Sequence, residues 1–294
     1  MPTTTSDEAW RAGGRYVDAG GDVVFVRDEP AAHPDTGEPP MLVLHGFPTC
    51  SFDFAPVLPA LAATRRVVLP DHLGHGLSAK PDRRYGIRML ADAVEAAVAA
   101  LGIGEVDLLT HDVGDSIGGE LLARDLEGDL GFGVRRRVLT NGSIYMDLAQ
   151  LSDGQQLLLS LPDEPIDLIT AEAWIGGVRR TFAAGSVVDD AELEALWRLN
   201  THENGQRLLP RTIRYIEDRR VEERRYTGAI ETHPSPLGVV WGALDPIAVP
   251  AMAERLVAAR PGTPLVTLDD VGHYPMLEAP DRFAAAVLDL FAGD

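Results

Sequence analysis

The sequence predicts an α/β fold in which a mostly parallel central sheet is flanked by helices and carries an inserted helical cap. Short apolar runs alternate with segments of helical periodicity along most of the chain, as expected for parallel strands joined by helices. The alternation stops between about residue 146 and residue 232, where only helix-compatible stretches occur. The 294 residues, 45% of them hydrophobic, can fill one large core.

Strands are expected where a short apolar run lies between turn residues. Residues 15–28 indicate an opening hairpin that turns at Gly20 and Gly21. Six further runs are typical of buried strands: Met41 to Leu44, Arg66 to Leu69, Val106 to Leu109, Arg136 to Thr140, Leu237 to Trp241 and Pro264 to Leu268. Their apolar character on both faces favours a sheet that helices cover from both sides.

Helices are expected between these strands. One amphipathic helix that stops at Gly102 is indicated by apolar residues three and four positions apart, namely Ile87, Leu90, Val94, Val98 and Leu101. Pro250 can open a helix over residues 251–259, and Asp281 can cap the last helix. The chain is therefore predicted to comprise a core of residues 1–145 and 233–294, with residues 146–232 as the helical cap.

Composition and charge exclude several classes of partner. The net charge of −19 and the sequence pI of about 4.7 disfavour both nucleic acid and anionic membrane surfaces. Arginines between residues 207 and 225 alternate with acids, which indicates a solvated helix face with ion pairs. Cys50 is the only cysteine, and no apolar run approaches the roughly 18 residues of a membrane helix. Because residues 1–15 lack a signal-peptide core, a cytoplasmic location is the default expectation.

The most informative residue is Asp112, because it lies where an apolar strand run gives way to a helix pattern. Hydrolases of one large α/β class hold their nucleophile at such a strained turn, usually a serine in Gly-x-Ser-x-Gly. An aspartate side chain is ionised at neutral pH and needs no base to activate it. Because a carboxylate attacks an alkyl carbon well and an acyl carbon badly, Asp112 predicts displacement at an alkyl carbon.

A second match to the serine pattern surrounds Ser116, four residues further on. The register favours Asp112, because the strand run ends at Leu109 and the helix pattern already includes Ile117. Ser116 is then expected in the first helical turn, while Gly114 provides the small neighbour that a tight turn needs. An esterase that uses Ser116 stays open as the weaker alternative.

Three further motifs follow predicted strands in the order that this class uses. They are His45-Gly46-Phe47-Pro48, then Asp245 in Gly242-Ala243-Leu244-Asp245-Pro246, then His273 in Val271-Gly272-His273-Tyr274-Pro275. Together with His111-Asp112-Val113-Gly114 they make the chain resemble the α/β-hydrolase superfamily, and within it the aspartate-nucleophile branch. Over nearly its whole length it is similar to epoxide hydrolases and haloalkane dehalogenases.

This resemblance implies a two-step hydrolysis that needs no metal and no organic cofactor. Asp112 displaces a leaving group and forms an alkyl ester of its own side chain. His273, oriented by Asp245, then activates the water that opens the ester. The backbone N–H groups of Phe47 and Val113 are expected to hold the oxyanion that forms on the Asp112 carboxyl carbon.

The leaving group separates the two sub-branches. An epoxide oxygen needs a proton, usually from cap tyrosines, whereas a halide needs N–H donors, often a tryptophan directly after the nucleophile. That position is Val113, which has no side-chain donor, and this favours an epoxide. Tyr215 is similar in placement to one cap tyrosine, and Trp197, Tyr145 and Tyr226 are candidates near the second. For each of these side chains, packing between cap and core is an equally open role.

Aromatic residues of core and cap predict an apolar pocket, and about half of them are expected to touch a ligand: Phe47, Phe52, Trp174, Phe182 and Trp197. The expected partners are therefore a small lipophilic substrate and water, and nothing indicates the oligomeric state. His72 and His75 have a spacing that a metal could use, but the glycines around them indicate a structural turn. Asp115 is expected as a helix-start charge and Asp147 as a surface acid, although Asp147 could replace Asp245 as the group that orients the histidine.

The sequence thus favours a hydrolase that opens a lipophilic epoxide. A haloalkane dehalogenase and an esterase are the alternatives among enzymes. A ligand-binding or receptor-like protein with the same fold is the alternative outside them, and the intact nucleophile, acid and histidine argue against it.

Overall fold

One sheet of eight strands organises the protein, in the order β1-β2-β4-β3-β5-β6-β7-β8. The computed structural model describes residues 5–33 and 37–293. The strands are β1 (Gly14–Ala19), β2 (Asp22–Glu29), β3 (Met41–Leu44), β4 (Val67–Pro70), β5 (Glu105–His111), β6 (Gly133–Thr140), β7 (Leu237–Gly242) and β8 (Leu265–Leu268). β2 pairs antiparallel with β1 and β4, and every other pairing is parallel. The predicted α/β fold and mostly parallel sheet are confirmed. Residues 1–4, which begin the N-terminal segment considered above, lie outside the described residues.

The helices are α1 (Asp7–Ala12), α2 (Leu58–Leu61), α3 (Ile87–Ala100), α4 (Val113–Glu127), α5 (Asp153–Ser160), α6 (Ala171–Arg179), α7 (Asp190–Asn200), α8 (Leu209–Thr212), α9 (Tyr215–Thr232), α10 (Ala251–Ala259), α11 (Pro275–Glu278) and α12 (Pro280–Ala292). Short 3₁₀ helices cover Ser51–Phe54 and His202–Leu208. Across the residues that the structure describes, no helix combines the length and the apolar character needed to cross a membrane.

Several boundaries differ by one to three residues from the sequence prediction, and the starts of α12 and β6 have identifiable reasons. Asp281 does not cap the last helix, because α12 already begins at Pro280, whose missing N–H and fixed φ suit the first helical position. β6 begins at Gly133, three residues before the predicted start, because backbone pairing with β5 already starts there, between Gly133 and Glu105. Backbone pairing of this kind leaves no apolar pattern in the sequence.

Between β6 and β7 the described chain is helical, comprising α5 to α9 and one 3₁₀ helix. This insertion contacts loops that follow parallel strands. Asn200 accepts from the N–H of Gly76 after β4 at 3.3 Å, and Arg219 donates to the carbonyl of Ser143 after β6 at 2.8 Å. The insertion therefore covers the carboxyl edge of the sheet, where open α/β sheets bind their ligands.

The arginines of α9 are only partly solvated, so the predicted solvated face is wrong for two of them. Arg225 does form the expected ion pairs, with Glu120 and Glu127 of α4. Arg214 and Arg219 are buried instead, and each donates to backbone carbonyls of neighbouring segments. The charge pattern could not reveal this burial, because it depends on how α9 packs against α4 and the loops around it.

Candidate active site

Asp112 forms the turn between β5 and α4. Its backbone has φ 51° and ψ −114°, a conformation that a non-glycine residue adopts only when the surrounding structure enforces it. The turn is tight, because a Cβ added at Gly114 would lie 2.3 Å from the carbonyl oxygen of Leu44. Ser116 lies further along α4, within its first turn, and is buried. The residue presented at the strained turn is thus the carboxylate and not the serine.

The loop after β3 reaches the Asp112 carboxylate because β3 and β5 are neighbours in the sheet. The N–H of Phe47 donates to Oδ2 of Asp112 over 2.8 Å. Val113 is the first residue of α4, so its N–H belongs to the helix N-terminus, where unpaired donors and the helix dipole favour negative charge. One predicted oxyanion donor, the N–H of Phe47, therefore contacts the carboxylate directly. The other, the N–H of Val113, belongs to the residue that follows Asp112 in the chain.

His273 and Asp245 form a buried pair at the ends of the last two strands. Nδ1 of His273 donates to Oδ2 of Asp245 over 2.8 Å. Burial lowers the pKa of His273, but the charge of Asp245, its hydrogen bond and the charge of Asp112 outweigh this effect and raise it to about 9. The strained turn and this pair are close in space, because the ring of His111, which precedes Asp112, lies 5.0 Å from that of His273 and its Nε2 is 2.8 Å from the carbonyl oxygen of His273.

Asn141, directly after β6, also holds the acid, and sequence reasoning missed it. Its Nδ2 donates to Oδ2 of Asp245 over 2.7 Å, and its Oδ1 accepts from the N–H of Gly242 over 3.0 Å. Oδ1 of Asp245 accepts from the N–H groups of Ile247 and Ala248 at 2.7 and 3.0 Å. Asp245 is thereby fixed on every side, and the only signal for Asn141 was its place directly after a strand.

Two other acids lie apart from this pair. Asp147 has a largely exposed side chain and forms an ion pair with Arg255 at 2.7 Å, so it does not replace Asp245. Asp115 stands in the first turn of α4 as expected, but it is buried, and the hydroxyl of Thr110 donates to its Oδ1. Burial raises the pKa of Asp115 well above its usual range.

A cavity of about 540 Å³ opens beside His273. Its apolar wall consists of Leu151, Leu157, Leu158, Ile169, Ala173, Trp174, Val178, Leu209 and Ile247. Phe47 and Tyr274 line it on the side of the core, and Asp153 and Arg180 supply charged groups. Of the five aromatic residues predicted for the pocket, Phe47 and Trp174 line the cavity. Tyr274 also lines it, although no sequence pattern singles this residue out.

The other three aromatic residues of that set do not line the cavity. Trp197 contacts Trp174 with ring centroids 5.7 Å apart, and Phe182 packs edge-on against Tyr274 at 5.7 Å, so both support residues of the wall. Phe52 is fully buried in the core against Trp10 of α1.

The cap tyrosines occupy three different surroundings. Tyr215 is buried with its ring centroid 5.7 Å from that of Phe47, and burial together with the charge of Asp112 raises its pKa well above the ordinary value. Tyr145 donates its hydroxyl proton to Glu231 over 2.7 Å, and the structure does not bring it to the cavity. Tyr226 packs against α4, where its carbonyl oxygen would meet a Cβ added at Gly119. Of these three cap tyrosines, Tyr215 is the one that packs on Phe47, whose N–H donates to Asp112, although neither Tyr215 nor Asp112 is among the residues that line the cavity.

Glu278 ties the loop that carries His273 to the cap. Its carboxylate accepts hydrogen bonds at 2.6–3.0 Å from four groups on the two segments: the N–H of Gly272, the N–H of Tyr274, the N–H of Ala183 and the hydroxyl of Ser186. In addition, the N–H of His273 donates to the carbonyl of Thr181 over 3.0 Å. Sequence reasoning gave no indication of this link, because its two sides are about ninety residues apart.

The histidines after β4 are buried in a turn. The N–H of His72 donates to Nε2 of His45 over 2.9 Å, and the rings of these two histidines stack with centroids 4.0 Å apart. Burial lowers the pKa of His72 to about 4 and that of His75 to about 3. Within the described residues, no group of three or more histidine, cysteine or acidic side chains is placed to hold a metal ion.

Replacement of His75 by Gln should weaken the acid sensitivity of the fold. Because the folded-state pKa of His75 lies well below 6.5, this histidine contributes stability that is present above pH 6.5 and lost as the pH falls towards 3. We expect the free energy of unfolding of the variant to fall less steeply than that of the wild type, by about 1.4 kcal/mol per pH unit. Urea unfolding between pH 6.5 and 5 measures this difference. The exposed His33→Gln variant should keep the wild-type slope, and an unchanged slope for the His75 variant contradicts the prediction.

Comparisons with known proteins agree with this architecture. A family model described as "Alpha/beta hydrolase family" matches residues 41–286. The chain is 40% identical over 291 residues to "Putative hydrolase LipZ" of Mycobacterium tuberculosis, covering 98% of this chain and 99% of that protein. It is 30% identical over 291 residues to the "Mesoderm-specific transcript protein" of Mus musculus, covering 95% and 86%.

Solved structures show the same fold at lower identity. Cfl2 from Burkholderia cenocepacia has a TM-score of 0.78 at 22% identity, covering 95% of each chain. The enol-lactonase from Burkholderia xenovorans has a TM-score of 0.74 at 21% identity, covering 95% of this chain and all of that one. At this level of identity the likeness concerns the fold alone.

Proposed function

Because the chain belongs to the alpha/beta hydrolase family, we propose that it opens a lipophilic epoxide to a diol through a covalent ester on Asp112. The observation that carries the proposal is a carboxylate at the strained turn where this fold presents its nucleophile. Asp112 receives the N–H of Phe47 and lies beside a buried His273–Asp245 pair. These groups suit displacement at an alkyl carbon followed by hydrolysis of the resulting ester.

In the first step an oxygen of Asp112 attacks a ring carbon of the epoxide. The new carbon–oxygen bond forms as the ring bond breaks, and the released oxygen takes the phenolic proton of Tyr215. Negative charge moves from the carboxylate to the tyrosine oxygen. The buried position of Tyr215 beside Phe47 and its electrostatic coupling to Asp112 support this role.

The second step requires a neutral imidazole, and formation of the ester favours one. The raised pKa of about 9 makes His273 an imidazolium in the resting enzyme, partly because of the charge on Asp112. Esterification removes that charge, so the imidazole gives up its proton more readily, and this proton returns Tyr215 to the phenol through solvent. His273 becomes a base only after the nucleophile has reacted.

Neutral His273 then takes a proton from water as the hydroxide attacks the carboxyl carbon of Asp112. The N–H groups of Phe47 and Val113 hold the oxyanion, and one such donor contributes about 3 kcal/mol. Collapse breaks the ester bond, and the leaving alkoxide takes the proton from His273 to complete the diol. The proton left on the Asp112 carboxyl group returns to His273 and restores the resting state.

The substrate class follows from the cavity. Its wall is formed mainly by aliphatic side chains and Trp174, and about 540 Å³ is enough for a small lipophilic molecule. Water is the second substrate. The charge of −19 disfavours polyanionic partners, and we propose no metal or organic cofactor.

A haloalkane dehalogenase is the second candidate, and one observation favours it. Nε1 of Trp174 is buried without a hydrogen-bond partner among the described residues, and Trp174 lines the cavity. An unpaired indole N–H is a donor of the kind that holds a departing halide. Val113 offers no second side-chain donor, which is why the epoxide is our first choice.

Turnover of matched probes tests the proposal. We expect the purified protein to convert a styrene-oxide-type epoxide to its diol, and to release bromide from a bromoalkane far more slowly. Chromatography of the diol and of bromide measures both reactions. Bromide release without diol formation selects the dehalogenase. Hydrolysis of p-nitrophenyl esters that is lost in Ser116→Ala selects an esterase, and saturable binding of the probes without turnover selects a receptor.

A further inference from the structure

Arg219 is a buried cation that the mechanism above does not use. It lies one helical turn after Tyr215 on α9, and only 3% of its surface is exposed. Nη1 donates to the carbonyl of Ser143 over 2.8 Å, whereas Nε and Nη2 are buried and have no hydrogen-bond partner in the described part of the chain. Burying unpaired donors of a charged group costs several kcal/mol at the order-of-magnitude level. An apolar side chain would fill the same space without this cost, so packing alone does not explain the arginine.

The surroundings of Arg219 lead to the candidate nucleophile. Its guanidinium carbon lies 4.9 Å from the centroid of the Tyr215 ring, on which it stacks. The other neighbour of that ring is Phe47, at 5.7 Å between centroids, and the N–H of Phe47 contacts Asp112. A continuous set of contacts therefore joins the cation to the carboxylate through the tyrosine.

The nearby acid does not neutralise this cation. Asp115 is close enough for the charge of Arg219 to lower its pKa, but burial is the larger effect and holds that pKa well above the usual range. Oδ1 of Asp115 accepts from the hydroxyl of Thr110, and its Oδ2, like Nε and Nη2 of Arg219, has no hydrogen-bond partner among the described residues. Arg219 thus keeps a positive charge next to the ring of Tyr215, and Asp115 does not neutralise that charge.

We propose that Arg219 acts through Tyr215 in ring opening, by stabilising the tyrosinate that forms when Tyr215 gives its proton to the epoxide oxygen. This inference rests on the proposed function. As the ring carbon–oxygen bond breaks and the bond to Asp112 forms, one negative charge leaves the carboxylate and arrives on the tyrosine oxygen. A cation fixed beside the tyrosine favours this transfer, because it attracts the charge more strongly at its destination than at its origin.

The inference also accounts for the missing second tyrosine. Tyr145 is engaged with Glu231, and Tyr226 packs against α4, so neither stands beside Tyr215. The phenol of Tyr215 is a weak acid, since burial and the charge of Asp112 both oppose its ionisation. The charge of Arg219 acts in the opposite direction. Tyr215, with its tyrosinate stabilised by Arg219, thereby takes the role that a pair of cap tyrosines has in epoxide hydrolases.

The two leaving groups differ in their need for a proton: bromide departs without one, whereas the epoxide oxygen must be protonated. This difference provides the test. Single-turnover alkylation of Asp112 is followed by intact mass in a His273→Gln background, with an epoxide and a bromoalkane of the same carbon skeleton. We expect Arg219→Gln to slow alkylation by the epoxide about 100-fold and to leave that by the bromoalkane within about threefold. Arg219→Lys, which keeps the charge, should recover most of the epoxide rate. The matched control Arg220→Gln alters the exposed neighbour and should change neither rate.

Equal slowing of both probes in Arg219→Gln indicates a merely structural role and overturns the inference, as does an unchanged epoxide rate. If Arg219→Gln fails to fold by circular dichroism, Arg219→Met, which also removes the charge, takes its place: selective slowing of the epoxide supports the inference, and equal slowing of both probes or an unchanged epoxide rate overturns it. Failure of the proposed function looks different, because then the parent His273→Gln protein forms no epoxide adduct at all.

Discussion

The His273→Gln variant should accumulate a covalent adduct on Asp112 when it is incubated with an epoxide that the wild type hydrolyses. Glutamine keeps much of the volume of the imidazole but cannot remove a proton from water. The first step needs only the carboxylate and a proton donor, so it continues, while opening of the ester stops. We expect steady-state turnover to fall by about 10²- to 10⁴-fold. Intact-mass spectrometry should show the protein heavier by the mass of the probe.

Peptide mapping locates the adduct, which we expect on the peptide that contains Asp112. The double variant Asp112→Ala/His273→Gln is the matched control and should show no gain in mass. An adduct on Ser116 supports the esterase alternative instead. Absence of any adduct, with an epoxide that the wild type does turn over, contradicts the ester mechanism.

The Asp245→Asn variant should lose turnover by about 10³- to 10⁴-fold while remaining folded. An asparagine fits the same space, but it removes the charge that raises the pKa of His273 and no longer specifies which ring nitrogen carries the proton. The imidazole is then held in the wrong tautomer for attack by water. Steady-state kinetics and thermal unfolding measure the two quantities.

Asn141→Ala perturbs Asp245 less severely than Asp245→Asn does. It removes one hydrogen bond to Asp245 and leaves the two backbone donors of Ile247 and Ala248 in place. We expect a smaller loss, about 10-fold, because the carboxylate keeps its charge and most of its support. A loss as large as that of Asp245→Asn would mean that Asn141 acts in the chemistry itself.

The positions that sequence reasoning found all follow strands. Asp112 comes directly after β5, and Asp245 and His273 lie in the loops that follow β7 and β8. The carboxyl ends of parallel strands meet at one edge of the sheet. Short apolar runs identify such strands with little ambiguity, so the order of the strands in the sequence is enough to bring these residues together. The register of the turn at Asp112 followed from the same pattern.

The positions that it missed depend on how separate elements pack. Asn141 reaches Asp245 only because β6 pairs with β7, and Glu278 reaches the cap only because residues 181–186 return to the sheet edge. Tyr145 follows β6 closely, yet its side chain turns towards Glu231. No periodicity encodes these directions, because they are set by contacts between segments that are far apart in the sequence.

The carboxylate of Glu278 constrains how a substrate gains access. It binds the histidine loop and the cap segment at once, so lifting the cap on that side would strip hydrogen bonds from the loop that carries His273. Opening of the cap at that point would displace His273, the base that activates water, each time a substrate enters. Admission and departure are therefore expected around α5, whose residues line the cavity, with the general base kept aligned throughout the cycle.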